Sequence, residues 1–243
     1  MATYLLVHGA WHGGWCWREV RAGLELLGHK TYAPTLTGLG ERAHLLSADI
    51  TLDTHIGDVA KIIEDEQLEE VVLVGHSYAG ALLPGVAERL PDQISRLVFL
   101  DAAILKDGES LFSLVDPAIV EDRRREARRL HDGLAIPVPS GEALGIRDAA
   151  LWAEVAPRLT PHPIATYDSP ARLSGMPGAG LACDYIRCVE PEYAPLAWAR
   201  ERARHYGWPM HDLPSGHDAM LIAPADLVSL LDQVGGDGAH SRP

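Results

Sequence analysis

Short apolar runs spaced widely along the chain constrain its fold more than any other feature. Tyr4–Val7, Val71–Val74, Leu97–Leu100 and Tyr185–Val189, with a weaker run at Thr31–Ala33, lie beside Gly, Pro or Asp. A short run that is apolar at every position suits a strand covered on both faces. Between the runs, Trp17–Leu27, Leu52–Glu64, Ala79–Leu90, Ala194–Arg204 and Ala225–Val234 carry helical spacing. Strands alternating with helices predict an α/β chain with a doubly wound, mostly parallel sheet.

The alternation fails between about residues 105 and 174. There a charged helical stretch, Glu121–Arg129, is followed by Pro-rich passages at Pro137–Pro139 and Pro161–Pro163. This segment reads as an inserted, mainly helical cap, and residues 1–104 and 175–234 read as the core. A cap at that position would overhang the strand ends, where ligands bind in open parallel sheets. Residues 235–243 are Gly-rich and polar and read as a flexible tail.

The charge balance narrows the partners. With 21 Lys plus Arg against 34 Asp plus Glu, the formal charge of -13 repels phosphate backbones and anionic lipid, so neither nucleic acid nor a membrane surface is expected. The apolar runs fall well short of the roughly 20 residues that span a bilayer, and no basic-then-apolar leader precedes Thr3. Cys16, Cys183 and Cys188 form no CxxC pair, which fits reduced thiols and a cytoplasmic setting. The sequence leaves the oligomeric state open, a homodimer included.

The strongest chemical signal is the stretch VVLVGHSYAGA from Val71 to Ala81, a buried strand running into a helix through Gly75-His76-Ser77-Tyr78-Ala79. A serine on so sharp a turn adopts a strained backbone, and the residues two before and two after it crowd together. Gly75 meets that demand, and Ala79 stands where a second glycine is usual. The turn lifts the Ser77 hydroxyl above the sheet and aims a helix N-terminus at it.

Two further stretches complete a nucleophilic constellation. After the first strand comes His8-Gly9-Ala10-Trp11-His12-Gly13-Gly14-Trp15; an oxyanion hole needs one N–H from the residue after the nucleophile, Tyr78, and one from such a loop, for which Ala10 is the candidate. His8 and His12 are assigned no proton transfer. Near the end, Leu213-Pro-Ser-Gly-His-Asp-Ala-Met220 places His217 on a late loop before the closing helix, where a neutral imidazole can take the Ser77 proton. No HExxH spacing, Gly-x-Gly-x-x-Gly or phosphate loop is present, so neither metal nor organic cofactor is expected.

Taken together, His8-Gly9-Ala10-Trp11, Gly75-His76-Ser77-Tyr78-Ala79 and Ser215-Gly216-His217-Asp218 resemble the α/β-hydrolase superfamily. They look most like its small esterases, related to plant methyl-ester esterases, hydroxynitrile lyases and bacterial pyrethroid-hydrolase-like proteins. The likeness runs from Thr3 to about Val234, and Pro34–Arg42 resembles the bacterial members. The resemblance implies a serine hydrolase acting on a carboxylic ester or lactone through an acyl-enzyme. Two departures matter. Plant hydroxynitrile lyases carry a threonine beside the first-loop histidine and a lysine after the catalytic one; here Gly9 and Asp218 stand there, which disfavours release of cyanide. The plant esterases place their acid after the strand equivalent to Tyr185–Cys188, where Pro191 falls in this chain.

The acid that orients His217 must therefore come from elsewhere. Asp101, ending the strand after the nucleophile's, is favoured; Glu190, one residue from the familial position, is the alternative. Asp218 adjoins His217 too closely to reach the far ring nitrogen, and Asp212 is a weaker option. Trp11, Trp15 and Trp152 are candidates for lining a pocket that takes a small apolar or amphipathic ester or lactone. Two rivals stay open. The same residues could serve carbon–carbon hydrolysis, a lyase or an acyl cyclisation, since one fold hosts many reactions. The chain could also be a non-catalytic small-molecule binder that kept the turn.

Overall fold

In the computed structural model, which describes residues 1–178 and 180–236, the apolar runs become neighbours in one sheet. The chain opens with β1 (Thr3–Val7), β2 (Lys30–Tyr32), β3 (Val71–His76) and β4 (Ile94–Leu100), joined by α1 (Arg18–Leu26), α2 (Leu52–Asp65) and α3 (Leu83–Arg89). It then leaves the sheet for α4 (Pro117–His131), the two-residue strands β5 (Ala135–Ile136) and β6 (His162–Pro163), which pair antiparallel, and the short helices α5 (Ala149–Val155) and α6 (Ala165–Asp168). It returns through β7 (Ala182–Cys188), α7 (Ala197–His205), β8 (Met210–Leu213), α8 (Ala219–Ile222) and α9 (Pro224–Gly236). The sheet order is β2-β1-β3-β4-β7-β8, and every pairing in it is parallel.

The two-residue alternation of strands divides the interior into two layers. Leu5, Val7, Leu73, Leu97, Phe99 and Tyr185 face one way and pack with Ile56 and Val59 of α2 and Val86 of α3. Tyr4, Leu6, Val72, Val74, Val98 and Ile186 face the other way, onto Val20 and Leu24 of α1 and Leu227 and Leu231 of α9. Helices on both faces leave the strands no wet side, which is why the runs lack polar alternation.

Two helices start later than their periodicity suggests. The segment after β3 opens as a 3-10 turn, Ser77–Ala81, before α3, and Gly80 within it is pressed against Ala103: a Cβ there would lie 2.2 Å from Ala103 O. The stretch from Ala194 likewise begins as a 3-10 turn containing Pro195, and α7 follows. In the excursion between β4 and β7, the charged stretch forms α4. Its N-terminus is capped by Asp116, which accepts from Ala118 N at 2.8 Å, and Arg128, Arg129 and His131 complement the dipole at its other end. Of the tail, residues 235–236 finish α9, and 237–243 lie outside the described residues. Among the described residues no helix is long and apolar enough to cross a membrane.

Candidate active site

The turn after β3 has the strain its sequence implies. Ser77 sits at φ 54°, a left-handed conformation that a β-substituted residue adopts only when its surroundings force it. A Cβ on Gly75 would stand 2.8 Å from Leu83 Cδ2 and 3.1 Å from the Ala79 carbonyl carbon, so only glycine fits there. Ala79 is fully buried, whereas Ser77, just past the end of β3, is half-buried.

The β8–α8 loop brings His217 to this hydroxyl, with Nε2 2.9 Å from Ser77 Oγ. Its Nδ1 lies 2.7 Å from Asp101 Oδ2. A carboxylate only accepts, so Nδ1 carries the hydrogen and the Nε2 lone pair is left to receive the Ser77 O–H. Asp101 is wholly buried and lies just beyond β4; its other oxygen faces the buried guanidinium of Arg200 at 3.5 Å. Glu190 is exposed, and Asp212 is engaged by Arg187 at 2.6 and 2.8 Å. Of the four carboxylates weighed from sequence, the structure brings Asp101 to the ring nitrogen.

The loop after β1 reaches the serine because Gly9 lacks a side chain: a Cβ would stand 3.0 Å from Ser77 Cβ and 2.8 Å from His76 Nδ1. His8 holds the next peptide in place. Its Nε2 accepts from Leu36 N at 3.0 Å, so Nδ1 carries the hydrogen and donates to Gly9 O at 2.8 Å. In a trans peptide the C=O and N–H point oppositely, so pinning Gly9 O fixes the direction of Ala10 N–H. Among the described residues, neither Ala10 N–H nor Tyr78 N–H is taken up by a protein acceptor.

Histidines dominate this end of the sheet. Burial drives the His8 pKa down to about 3 and that of His55, on α2, to about 4. His55 accepts from Tyr78 OH at 2.8 Å and donates to Thr37 O at 2.8 Å. His76 and His162 are pushed well below the usual range by burial, helped by His217 in the first case and His55 in the second. All four are neutral at pH 7. His76, His217 and Asp218 offer ligand atoms within 4.8 Å of one another, but both His217 nitrogens are engaged by Ser77 and Asp101.

A cavity of about 510 Å³ is lined by Trp11, Ile136, Val138 and Tyr193 together with Arg123 and Glu126 of α4, and it adjoins the site through Tyr193, whose ring lies on that of His217. Trp11 is tied to the excursion by Nε1–H to Ile136 O, at 3.2 Å. Trp15 and Trp152 do not line this cavity. Trp15 lies in the 3-10 turn Gly14–Trp17 with its ring beside His12 and Arg158 over it at 4.2 Å, and Trp152 packs against Gly141. Two residues outside the sequence motifs matter more. Tyr193 stacks face to face on His217 with ring centroids 3.8 Å apart, and Arg200 bonds Tyr193 O at 3.0 Å while facing Asp101. Neither lies in a recognisable pattern, since both depend on how the turn after β7 folds.

Residues 4–230 match the model of the alpha/beta hydrolase family. A carbendazim hydrolyzing esterase from Nocardioides sp. (strain SG-4G) is 38% identical over 97% of this chain and 100% of its own length. Methylesterase 1 of Arabidopsis thaliana is 39% identical over 46% of this chain and 43% of its own. Among solved structures, an extracellular alpha/beta-hydrolase from a Paenibacillus species superposes with a TM-score of 0.85 at 21% identity, covering 96% of this chain and 98% of that one. A pyrethroid hydrolase from Sphingobium faniae JZ-2 gives 0.77 at 21% identity, with 99% of both chains covered. With a strained serine at the end of the third strand and a family match spanning nearly the whole chain, this protein belongs to the alpha/beta hydrolase family.

Proposed function

We propose that Ser77, His217 and Asp101 form the catalytic triad of a carboxylic ester hydrolase, with Ala10 and Tyr78 N–H groups as its oxyanion hole. The observation that carries this reading is the unbroken relay from Ser77 Oγ through His217 to Asp101, at 2.9 and 2.7 Å. In the first half-reaction Ser77 Oγ attacks the ester carbonyl carbon while its proton passes to His217 Nε2. The carbonyl oxygen becomes an oxyanion held by the two amides, and the alcohol leaves with the proton from Nε2. Water then attacks the acyl-enzyme, His217 again takes and returns a proton, and Ser77 is regenerated. Asp101 holds the imidazole tautomer and stabilises the imidazolium without itself taking the proton.

The excursion over residues 105–174 acts as the cap in this reading, since Ile136 and α4 line the cavity beside His217. Its mixed apolar and charged walls suit a small amphipathic ester or lactone, and the carbendazim hydrolyzing esterase makes carbendazim a first compound to assay. The three cysteines are buried and free, which supports a cytoplasmic setting.

The test is turnover of short p-nitrophenyl esters by wild-type protein and by Ser77→Ala, alongside fluorophosphonate labelling. Hydrolysis and labelling that both vanish in Ser77→Ala are expected. Labelling of Ser77 without turnover of any simple ester would move the protein to carbon–carbon hydrolysis or a lyase. A folded wild-type protein that takes no label would make it a binder.

A further inference from the structure

Behind the triad, three chain segments meet through side chains that the hydrolytic steps above do not use. The loop after β1 contributes His12, the strained turn contributes His76, and the β8–α8 loop contributes Asp218; none is more than 1% exposed. His12 donates Nδ1–H to Ala10 O at 2.7 Å and Nε2–H to Asp218 Oδ2 at 3.1 Å. A carbonyl and an ionised carboxylate only accept, so with Asp218 ionised both ring nitrogens carry hydrogen and His12 is an imidazolium. Burial works against that charge, but the Asp218 charge and hydrogen bond outweigh it and raise the His12 pKa. Burial likewise opposes ionisation of Asp218, and the charge and hydrogen bond of His12 bring its carboxyl down.

Such a pair is a poor way to stabilise a fold, because desolvating two charges consumes much of what their attraction returns. This one is not even fully satisfied. Asp218 Oδ1 has no hydrogen-bond partner among the described residues, and His76 Nε2, 3.8 Å away, gives its hydrogen to His217 O at 2.9 Å. Position explains the arrangement better. Asp218 directly follows the residue read as the base, and His12 grips the carbonyl of the residue whose N–H is read as an oxyanion donor. His8 fixes the peptide before Ala10, and His12 fixes the peptide after it.

Resting on the triad reading above, we propose that His12 and Asp218 are a positioning couple: their contact locks the Ala10 peptide to the His217 loop, setting oxyanion donor and base as one unit. His76, through its bond to His217 O, ties the same loop to the nucleophile's turn. Neither member touches substrate; both act through Ala10 and His217.

The experiment compares wild type, Asp218→Asn and the paired replacement His12→Phe with Asp218→Leu. It reads kcat and KM for p-nitrophenyl acetate, affinity for a trifluoromethyl ketone that mimics the tetrahedral oxyanion, and melting temperature. Both variants should lose about 10- to 100-fold in kcat with KM held within about twofold, because sub-ångström misplacement of these groups acts on the transition state. Ketone affinity should fall by the same factor. The apolar pair should regain the melting temperature that Asp218→Asn loses, yet not its kcat. Wild-type kcat in the apolar pair, or a kcat loss without the matching loss of ketone affinity, would overturn the couple. If the apolar pair fails to fold, Asp218→Asn decides on kcat and ketone affinity. Ser77→Ala, assayed in parallel, separates the two readings: if it is as active as wild type, the triad falls and the couple with it, whereas an inactive Ser77→Ala beside unchanged Asp218 variants overturns the couple alone.

Discussion

The neutral histidines packed around the site make a quantitative demand on stability in mild acid. His8 and His55 are both fully buried, and each uses one ring nitrogen as an acceptor, from Leu36 N–H and Tyr78 O–H respectively. Protonation would destroy that acceptor and place a charge in an apolar interior, so their folded pKa values lie at about 3 and about 4. In the unfolded chain both return to about 6.5. Below that value the unfolded state binds protons that the folded state refuses, so stability is present above pH 6.5 and falls with pH. Between pH 6.5 and 5 each histidine costs between about 1 and 2 kcal/mol, or about 3 kcal/mol for the two, a large share of a typical 5 to 15 kcal/mol. This figure barely depends on the folded values so long as both stay below 5. His76 and His162, also driven down by burial, act in the same direction. His12 has the opposite sign, because its pKa is raised; its contribution is nearly complete below pH 6.5 and is lost only as pH rises, so it changes little in this window. Urea unfolding followed by tryptophan fluorescence at half-unit steps from pH 6.5 to 5 measures the slope. An unfolding free energy constant within about 1 kcal/mol over that range would refute the neutral-histidine interior.

Other perturbations test separate parts of the site. Asp101→Asn should lower kcat by about four orders of magnitude with the fold intact, as loss of the tautomer-fixing carboxylate does in other triads, while Glu190→Gln should stay near wild type in a steady-state ester assay. Gly9→Ala should cost about 100-fold in kcat with KM little changed, because its Cβ would push the oxyanion loop off Ser77 and His76. Arg200→Met should cost about 3 kcal/mol or more in urea unfolding, since it leaves the Asp101 carboxylate buried with His217 as its remaining partner.

How much could be read beforehand follows the range of the interactions. The strands declared themselves because a run such as Val71–Val74 is buried on both faces, a property of each residue's own position. The turn at Ser77 was legible because its constraint is local: Gly75, Ser77 and Ala79 crowd one another within five residues. Choosing among the carboxylates was harder, since Asp101 and His217 are 116 positions apart and only strand order brings them together. Trp15 and Trp152, which lie away from the cavity that Trp11 lines, show the limit most clearly. Trp15 and Trp152 have the right chemistry for a pocket, but side-chain direction is set by a 3-10 turn in one case and by contact with Gly141 in the other. Tyr193 and Arg200 carried no signal of their own, because stacking on an imidazole and bracing a carboxylate have no spacing rule.

Strand register explains how the residue just beyond β4 comes to meet His217. His76 pairs with Leu100 as the last step of the β3–β4 ladder, so Ser77 and Asp101 each stand one residue beyond it on adjacent strands. Both turn there through positive φ, 54° and 39°, and both therefore rise above the same end of the sheet. The Ser77–Asp101 spacing is then fixed by two buried neighbouring strands, and His217 need only arrive between them from the β8–α8 loop. With Asp101, just beyond β4, at His217 Nδ1, the turn after β7 presents no carboxylate to that ring. It instead lays the Tyr193 ring on His217 and receives Arg200 behind Asp101. A proline can occupy position 191 for the same reason: the side chain there has no imidazole to orient.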